Sequence, residues 1–362
     1  MKRRDFVLAG GGSAAALAAS SFPAPAIAQD RVRWTMVSTW PKNAPGVGVN
    51  AQRVADRINA MSGGRLVIEH FAAGELVPPF ESFDAVQSGN ADIMHGTPYY
   101  WVGKAPANNY FTGVPFGLDA IELAGWLEFG GGQALWDETY DQFGLKPFYA
   151  GSSMTQAGGW FRKEINTLED VKGLKIRIAG LGGEVFRRLG AAVQLTPPGE
   201  IFAAMQSGAV DAAEWVGPWN DLAFGLHQVA KYYYMPAFHE PGPGLEVVVN
   251  KARFEELPDD LKQIVQHAVG SVAHTTLGDF HYHNIVSLDP LVQEHGVELR
   301  EFSDEIVAEL GRISLEVMEE IAAGDELTGR VHASYMEFLG QATRYSERMG
   351  LPMLRQRAMV IG

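Results

Sequence analysis

Polar and apolar positions alternate from Arg31 to Trp40, which predicts a strand. Pro41 to Gly46 forms a turn. From Val47 to Met61 the apolar residues recur at helical spacing, and Ser62-Gly63-Gly64 stops the helix. Arg65 to Phe71, rich in β-branched and aromatic residues, predicts a second strand. Strand, helix, strand is the unit of a parallel α/β sheet. The same grammar resumes beyond Gly151, with a strand at Leu174 to Ile178, a helix at Gly183 to Leu189 and a strand at Ala192 to Thr196.

An internal echo points to two halves built on one plan. Phe83 to Asp92 reads F-x-A-V-Q-S-G-x-A-D, and Phe202 to Asp211 reads F-x-A-M-Q-S-G-x-V-D. Each copy predicts a helix that ends on a glycine able to take the left-handed cap, with a strand directly after it. Glu246 to Asn250 predicts a strand returning between the halves, and Leu257-Pro258 opens a long helix. Ser303, followed by Asp304 and Glu305, caps a helix whose apolar stripe is Ile306, Leu310, Ile313, Val317 and Ile321. After Gly324-Asp325 the stripe continues through Leu327, Val331, Tyr335 and Phe338. Such a tail packs on its own half or on a second subunit, and periodicity alone does not choose.

The start of the chain is different in kind. Lys2, Arg3 and Arg4 precede a mild apolar stretch, and Ala26-Ile27-Ala28 offers the small residues a signal peptidase reads. Residues 1–28 are therefore expected to be an export signal cleaved before Gln29. Lys2 to Val7 resembles the twin-arginine signal, with Lys2 where Ser or Thr is usual. The stretch is too short and glycine-rich to span a membrane, and the mature protein is expected to be soluble. A chain of 362 residues exceeds one compact core. The formal charge is −14; removing residues 1–28 takes away three positive charges and one negative and leaves −16. That argues against a nucleic-acid partner, which needs a cationic face. An anionic ligand must meet a local positive charge. Cysteine is absent, which excludes disulfides and thiolate metal sites.

The densest chemistry lies between Asp211 and Asp221. Glu214 ends an apolar strand, Trp215 and Trp219 follow, and Asn220 sits at a helix start. In open α/β sheets, strand ends and helix starts face the ligand crevice. Arg177, on a short strand, can grip a carboxylate with two parallel hydrogen bonds, although a solvent-facing arginine is an equally open reading. Glu240 lies in the fixed loop His239-Glu240-Pro241-Gly242, which is not the helical zinc motif. Gln156 borders a glycine-rich turn. Together Glu214, Glu240 and Gln156 can supply oxygens to a hard cation. Tyr99, Tyr100 and Trp101 read either as aromatic core or as a hydroxyl reaching the cleft. His281 and His283 fall on different faces of a helix and suggest no metal site.

These residues resemble those of the substrate-binding proteins of tripartite ATP-independent periplasmic (TRAP) transporters, over nearly the whole mature chain. The pieces that carry the resemblance are Val37 to Lys42, Val171 to Arg177, Phe202 to Asp211, Glu214 to Asn220, and Lys231 to Gly242. The Glu-Trp-Val-Gly-Pro run and the later His-Glu-Pro-Gly look like a branch that binds 2-oxo acids such as pyruvate, or lactate, through a metal ion. The resemblance implies an α/β, two-lobed periplasmic fold with a ligand cleft between lobes, a long connecting helix and a C-terminal helical extension. The expected division is lobe I at 29–153, lobe II at 154–241, a return through lobe I and the connecting helix at 242–285, and completion of lobe II with dimerisation helices at 286–362. The resemblance implies that Arg177 holds the ligand carboxylate, with Tyr100 and Asn220 touching substrate. Gln156, Glu214, the Trp215 carbonyl and Glu240 hold the metal, with sodium put ahead of calcium, and Gln156 and Trp215 also face the substrate. It further implies a membrane permease as partner and a homodimer through the C-terminal helices. The expected function is a periplasmic transport receptor, not an enzyme. The alternatives are a metal-assisted periplasmic enzyme acting on an oxo or hydroxy acid, a lactate receptor, and a ligand sensor.

Overall fold

A computed structural model describes residues 31–361. The export signal and its cleavage site before Gln29 lie outside the described residues. The strands are β1 (Val32–Ser38), β2 (Leu66–Phe71), β3 (Ile93–Gly96), β4 (Leu145–Ser152), β5 (Gly159–Phe161), β6 (Lys175–Arg177), β7 (Ala192–Gln194), β8 (Ala212–Ala213), β9 (Tyr232–Tyr234), β10 (Gly244–Asn250) and β11 (Glu298–Arg300). They form two sheets, ordered β2-β1-β3-β10-β4 and, read from the opposite edge, β7-β6-β8-β5-β9-β11.

The five strands of the first sheet correspond in order to five of the six in the second, and β11 is the extra edge strand. β1 pairs parallel with β2 and β3, as β6 does with β7 and β8. An antiparallel strand then follows in each, β10 against β3 and β5 against β8. The echoed sequences occupy equivalent places. Helices Ser82–Gln87 and Ile201–Ser207 precede β3 and β8, and Gly89 and Gly208 take positive φ of 79° and 77° behind them. A residue with a Cβ is disfavoured there, which is why both copies keep glycine. The correspondence supports the repeated plan read from the sequence.

The chain crosses from the first sheet to the second between β4 and β5, and returns between β9 and β10. Helix Asp259–Gln293, with Pro258 at its N-cap, then carries it across again. Its apolar face, including Val265, Val269, Val272 and Phe280, is buried. It is tied to the Val47–Met61 helix by an Arg53–Asp279 ion pair at 3.0 Å. On the other side Asn284 Oδ1 accepts from the Trp219 backbone N–H at 3.2 Å, and the His283 ring stacks on Trp219 at 4.1 Å. His283 is thus a packing residue, as its helical position suggested. The helix runs without a break through the boundary expected at residue 285. Gly151, at the end of β4, has φ +99°, and a Cβ there would lie 2.7 Å from Thr276 Cβ. The chain leaves the first sheet by passing directly under this helix.

The tail departs from one expectation. The stripe Ile306, Leu310, Ile313 and Val317 is buried against the chain's own halves, not held back for a second subunit. Val331 and Tyr335 of helix Glu326–Arg348 are also buried, and the Tyr335 hydroxyl accepts from Leu118 N–H at 2.8 Å. Tyr110, Phe111 and Trp126 form an aromatic surface that would otherwise meet water, and this helix covers it. The last helix, Gly350–Ile361, buries no residue. Among the described residues no helix is long and apolar enough to cross a membrane.

Candidate functional site

Adjacent parallel strands bring the first two groups together. Arg177 on β6 is in register with Ala213 on β8, so Glu214 emerges beside it at the strand ends. The Glu214 N–H donates to the Arg177 carbonyl at 2.9 Å. In return Arg177 Nη1 donates to the Glu214 carbonyl at 2.6 Å and to Glu214 Oε2 at 2.9 Å. Arg177 Nε donates to the Thr196 carbonyl at 3.3 Å. Both side chains are fully buried. Arg177 Nη2 has no protein partner, so one end of the fork is free for an incoming acceptor.

Three loops close around this pair, stitched by backbone hydrogen bonds. Ala157 N–H donates to the Val216 carbonyl at 2.9 Å, Gln156 N–H to the Glu240 carbonyl at 3.2 Å, and Ala237 N–H to the Gln156 carbonyl at 2.9 Å. Gln156 Nε2 donates to Ser153 Oγ at 2.8 Å, which leaves Gln156 Oε1 buried and unpartnered. Glu214 Oε1 and both Glu240 carboxylate oxygens are also buried without a donor. The His239 ring nitrogens share that state, and Glu214, His239 and Glu240 each place a donor atom within 4.8 Å of the others. Trp215 lays its ring 5.6 Å from the Arg177 guanidinium carbon, a cation–π wall.

The first half supplies the opposite wall. Tyr99 and Tyr100 stack with ring centroids 4.9 Å apart. Burial pushes the Tyr100 hydroxyl up to about 12 and the Tyr99 hydroxyl well above its ordinary value, so both stay protonated and can donate. Asn220 Nδ2 donates across the halves to the Pro45 carbonyl at 2.9 Å, and its Oδ1 is buried and unpartnered. The structure thus brings Arg177, Glu214, Glu240, Gln156 and Trp215 together, sets Tyr100 beside Gln156 and Trp215, and places Asn220 at the seam with Pro45. Two participants escaped the reading from sequence. His239 was compared only with a helical zinc motif, and Tyr99 was not separated from the aromatic core. The signal for His239 was its place beside Glu240 in a loop fixed by prolines.

The electrostatics are unbalanced. Burial raises the Glu214 carboxyl well above its ordinary value, the Glu240 charge adds to this, and Arg177 opposes it. Burial also raises Glu240, against Arg177 and the Tyr99 hydroxyl nearby. Burial lowers His239 to about 3, so its imidazole is neutral. Two carboxylates thus share one cation, with oxygens from three side chains lacking donors. Oxygen atoms that accept no hydrogen bond, converging in a dry site, are the donor set a hard cation requires.

Residues 36–325 match the DctP family, described as bacterial extracellular solute-binding protein, family 7. The chain belongs to this family. DctP proteins are solute-binding receptors of transporters, not enzymes. The chain is 43% identical over 310 residues to a monocarboxylate 2-oxoacid-binding periplasmic protein of Nostoc sp., covering 86% of this chain and 85% of the relative. Two solved TRAP periplasmic solute-binding proteins share 36% identity with it, and each comparison covers 90% of this chain and 99% of the relative. The one from Pseudoalteromonas atlantica, with bound sodium and pyruvate, superimposes with a TM-score of 0.87. The one from Colwellia psychrerythraea, with bound calcium and pyruvate, superimposes with a TM-score of 0.88. The two-sheet architecture is therefore that of the DctP fold.

Proposed function

We propose that this chain is the periplasmic receptor of a TRAP transporter and captures a small 2-oxo acid, pyruvate or a near homologue, with a bound cation. The observation that carries this reading is the set of buried, donor-free oxygens on Gln156, Glu214 and Glu240 beside the free Nη2 of Arg177. A ligand carboxylate would pair with Arg177 and receive hydrogen bonds from Tyr100. A cation would take oxygens from Gln156, Glu214, Glu240 and the Trp215 carbonyl. When bound it would supply the positive charge that lets a third carboxylate enter. A 2-oxo acid offers two oxygens in a chelate, which favours it over a plain carboxylate. We take sodium as the cation and calcium as the alternative. Calcium would neutralise two glutamates, Arg177 and the ligand completely, whereas sodium leaves a formal charge of minus one. The relatives hold one ion each.

The test is pyruvate titration of chelated protein in sodium-free buffer, then with each ion restored separately. Binding is expected to return with an ion. Equal affinity in all conditions would remove the cation and return Glu214 and Glu240 to hydrogen-bonding roles.

Further parts of the reading are a membrane permease that receives the closed receptor, export by the twin-arginine route, and a homodimer. The homodimer is supported by the exposed apolar residues of the last helix, among them Leu354, Met359, Val360 and Ile361. Truncation after Arg348 is expected to give a folded monomer by sedimentation; a persistent dimer would place the contact elsewhere.

A further inference from the structure

Tyr99 and Tyr100 stand between two spaces. An inner chamber of about 20 Å³, bounded by Trp40, Gln156, Trp215 and Leu245, lies on one side. A cavity of about 500 Å³, open to solvent, lies on the other; Val102, Leu181, Val193 and Val317 give it mostly apolar walls, and Glu184, Arg187 and Arg188 also line it. Both tyrosines line both spaces.

This partition is held from several directions. The two rings are nearly parallel, 17° apart. Phe80 braces Tyr100 edge-on at 5.0 Å. Tyr99 N–H donates to Thr112 Oγ1 at 2.8 Å, which fixes the backbone that carries both rings. On its far side Tyr99 packs on bare backbone of the second half. A Cβ on Gly180 would lie 2.5 Å from Tyr99 Cδ2, and Gly180 has φ +58°. Glycine at 180 therefore lets a ring from one half seal against the other.

We propose that the Tyr99–Tyr100 pair sets the length of ligand the receptor accepts, by walling the inner chamber off from the outer apolar cavity. The proposal rests on the reading that the cleft takes a 2-oxo acid. The whole inner chamber is little more than one water needs, so a small 2-oxo acid already requires its walls to give, and a hydrocarbon tail finds no room beside it. The outer cavity has the apolar walls a tail would favour, but the stacked rings block the way. Opening the partition should let each added methylene bind there, at roughly fourfold in affinity per methylene.

The experiment is calorimetric titration with pyruvate, 2-oxobutyrate, 2-oxohexanoate and 2-oxooctanoate, in buffer containing sodium and calcium. Wild-type affinity is expected to fall beyond 2-oxobutyrate. Tyr100→Ala and Tyr99→Ala should weaken pyruvate binding and shift the ratio towards 2-oxohexanoate by at least ~10-fold. Tyr100→Phe and Tyr99→Phe lose a hydroxyl but keep the ring, so they should keep the wild-type ranking. Val193→Phe, which fills the outer cavity, should restore that ranking when added to Tyr100→Ala. If Tyr100→Ala does not fold, Tyr100→Leu serves, with the same shift expected. A wild-type ranking in the folded alanine or leucine variants, or a wild-type protein that prefers 2-oxooctanoate, would overturn the partition alone. A wild-type protein that binds none of the four acids would overturn the proposed function, and this inference with it.

Discussion

Glu246 and Glu240 lie close in sequence, one on β10 and the other in the loop before it, and both are buried. Glu246 accepts from Trp101 Nε1 at 2.6 Å and from the Tyr140 hydroxyl at 2.7 Å, one donor to each oxygen. Glu240 has no well-formed hydrogen bond to either oxygen, and only the nearby Tyr99 hydroxyl acts to lower its carboxyl from that side. Burial raises both carboxyls, to about 8. The first is a finished structural arrangement that ties β10 to the turn carrying the cleft tyrosines. The second is complete only when something else arrives, because a buried polar group without a partner is costly. Titration alone would not tell these two apart; their hydrogen-bond partners do.

The largest effect expected is at the positive member of the unfinished site. Arg177→Ala should weaken pyruvate binding by roughly 2–4 kcal/mol, the scale for truncating a buried charged pair. Arg177→Lys should recover only part of this, because lysine lacks the planar fork. Near wild-type affinity by calorimetry in Arg177→Ala would move the ligand carboxylate elsewhere. Next comes the pair Glu240→Gln and Glu246→Gln, whose effects should be opposite. Glu240→Gln should lower ligand affinity by ~10-fold or more while raising ligand-free stability by about 1 kcal/mol at neutral pH, since the cost of holding a buried carboxyl protonated is removed. Glu246→Gln should leave affinity within about twofold but cost about 1 kcal/mol of stability, the scale of one hydrogen bond. Denaturant melts with and without pyruvate measure all four quantities. The same sign at both positions would dissolve the distinction between them.

The smallest effect is a slope. A carboxyl raised from its ordinary 4.5 to about 8 is protonated in the fold while the unfolded chain has already lost its proton. These carboxyls should therefore make ligand-free stability fall as pH rises to about 8 and level off above, most plainly beyond about pH 6.5, because His95 and His239, lowered to about 3, act in the opposite sense below it. Cation and pyruvate should flatten the share due to Glu240 and Glu214 and leave the share due to Glu246. Above about pH 6.5, beyond the range of Asp221 and the buried histidines, the slope that remains in saturating ligand should shrink in Glu246→Gln. A slope unchanged by ligand would mean that the cation does not reach Glu240.

Local pattern was enough for β1, β2, β6, β7, β10 and the paired helix ends, because alternation and left-handed glycines act within a few residues, but it did not reveal β4, β5, β9 or β11. It marked Arg177 and Glu214 as strand-end candidates, but only the family resemblance chose a cleft role for Arg177 over a solvent-facing one. What pattern could not show was pairing at long range. The Asn220 amide donates to Pro45, a partner in the other half, and leaves only its oxygen free. Half of the Arg177 fork is already engaged by Glu214, which a reading of strand ends does not reveal. The tail stripe shows the same limit: its period announced a buried face but not whose surface would bury it. That was decided by the aromatic residues Tyr110, Phe111 and Trp126, far earlier in the chain.

β10 belongs to the first sheet, although the chain reaches it only after most of the second sheet has been laid down. Until Gly244–Asn250 is available, β3 and β4 have no strand between them, and their edges stay bare. The cover for the Trp126 surface arrives later still, with Tyr335. A nascent chain therefore cannot finish its first half while the second is being made. Folding on the ribosome must wait for nearly the whole polypeptide, and a fragment cut at the first crossover should behave as an unpaired, adhesive sheet and not as a stable module.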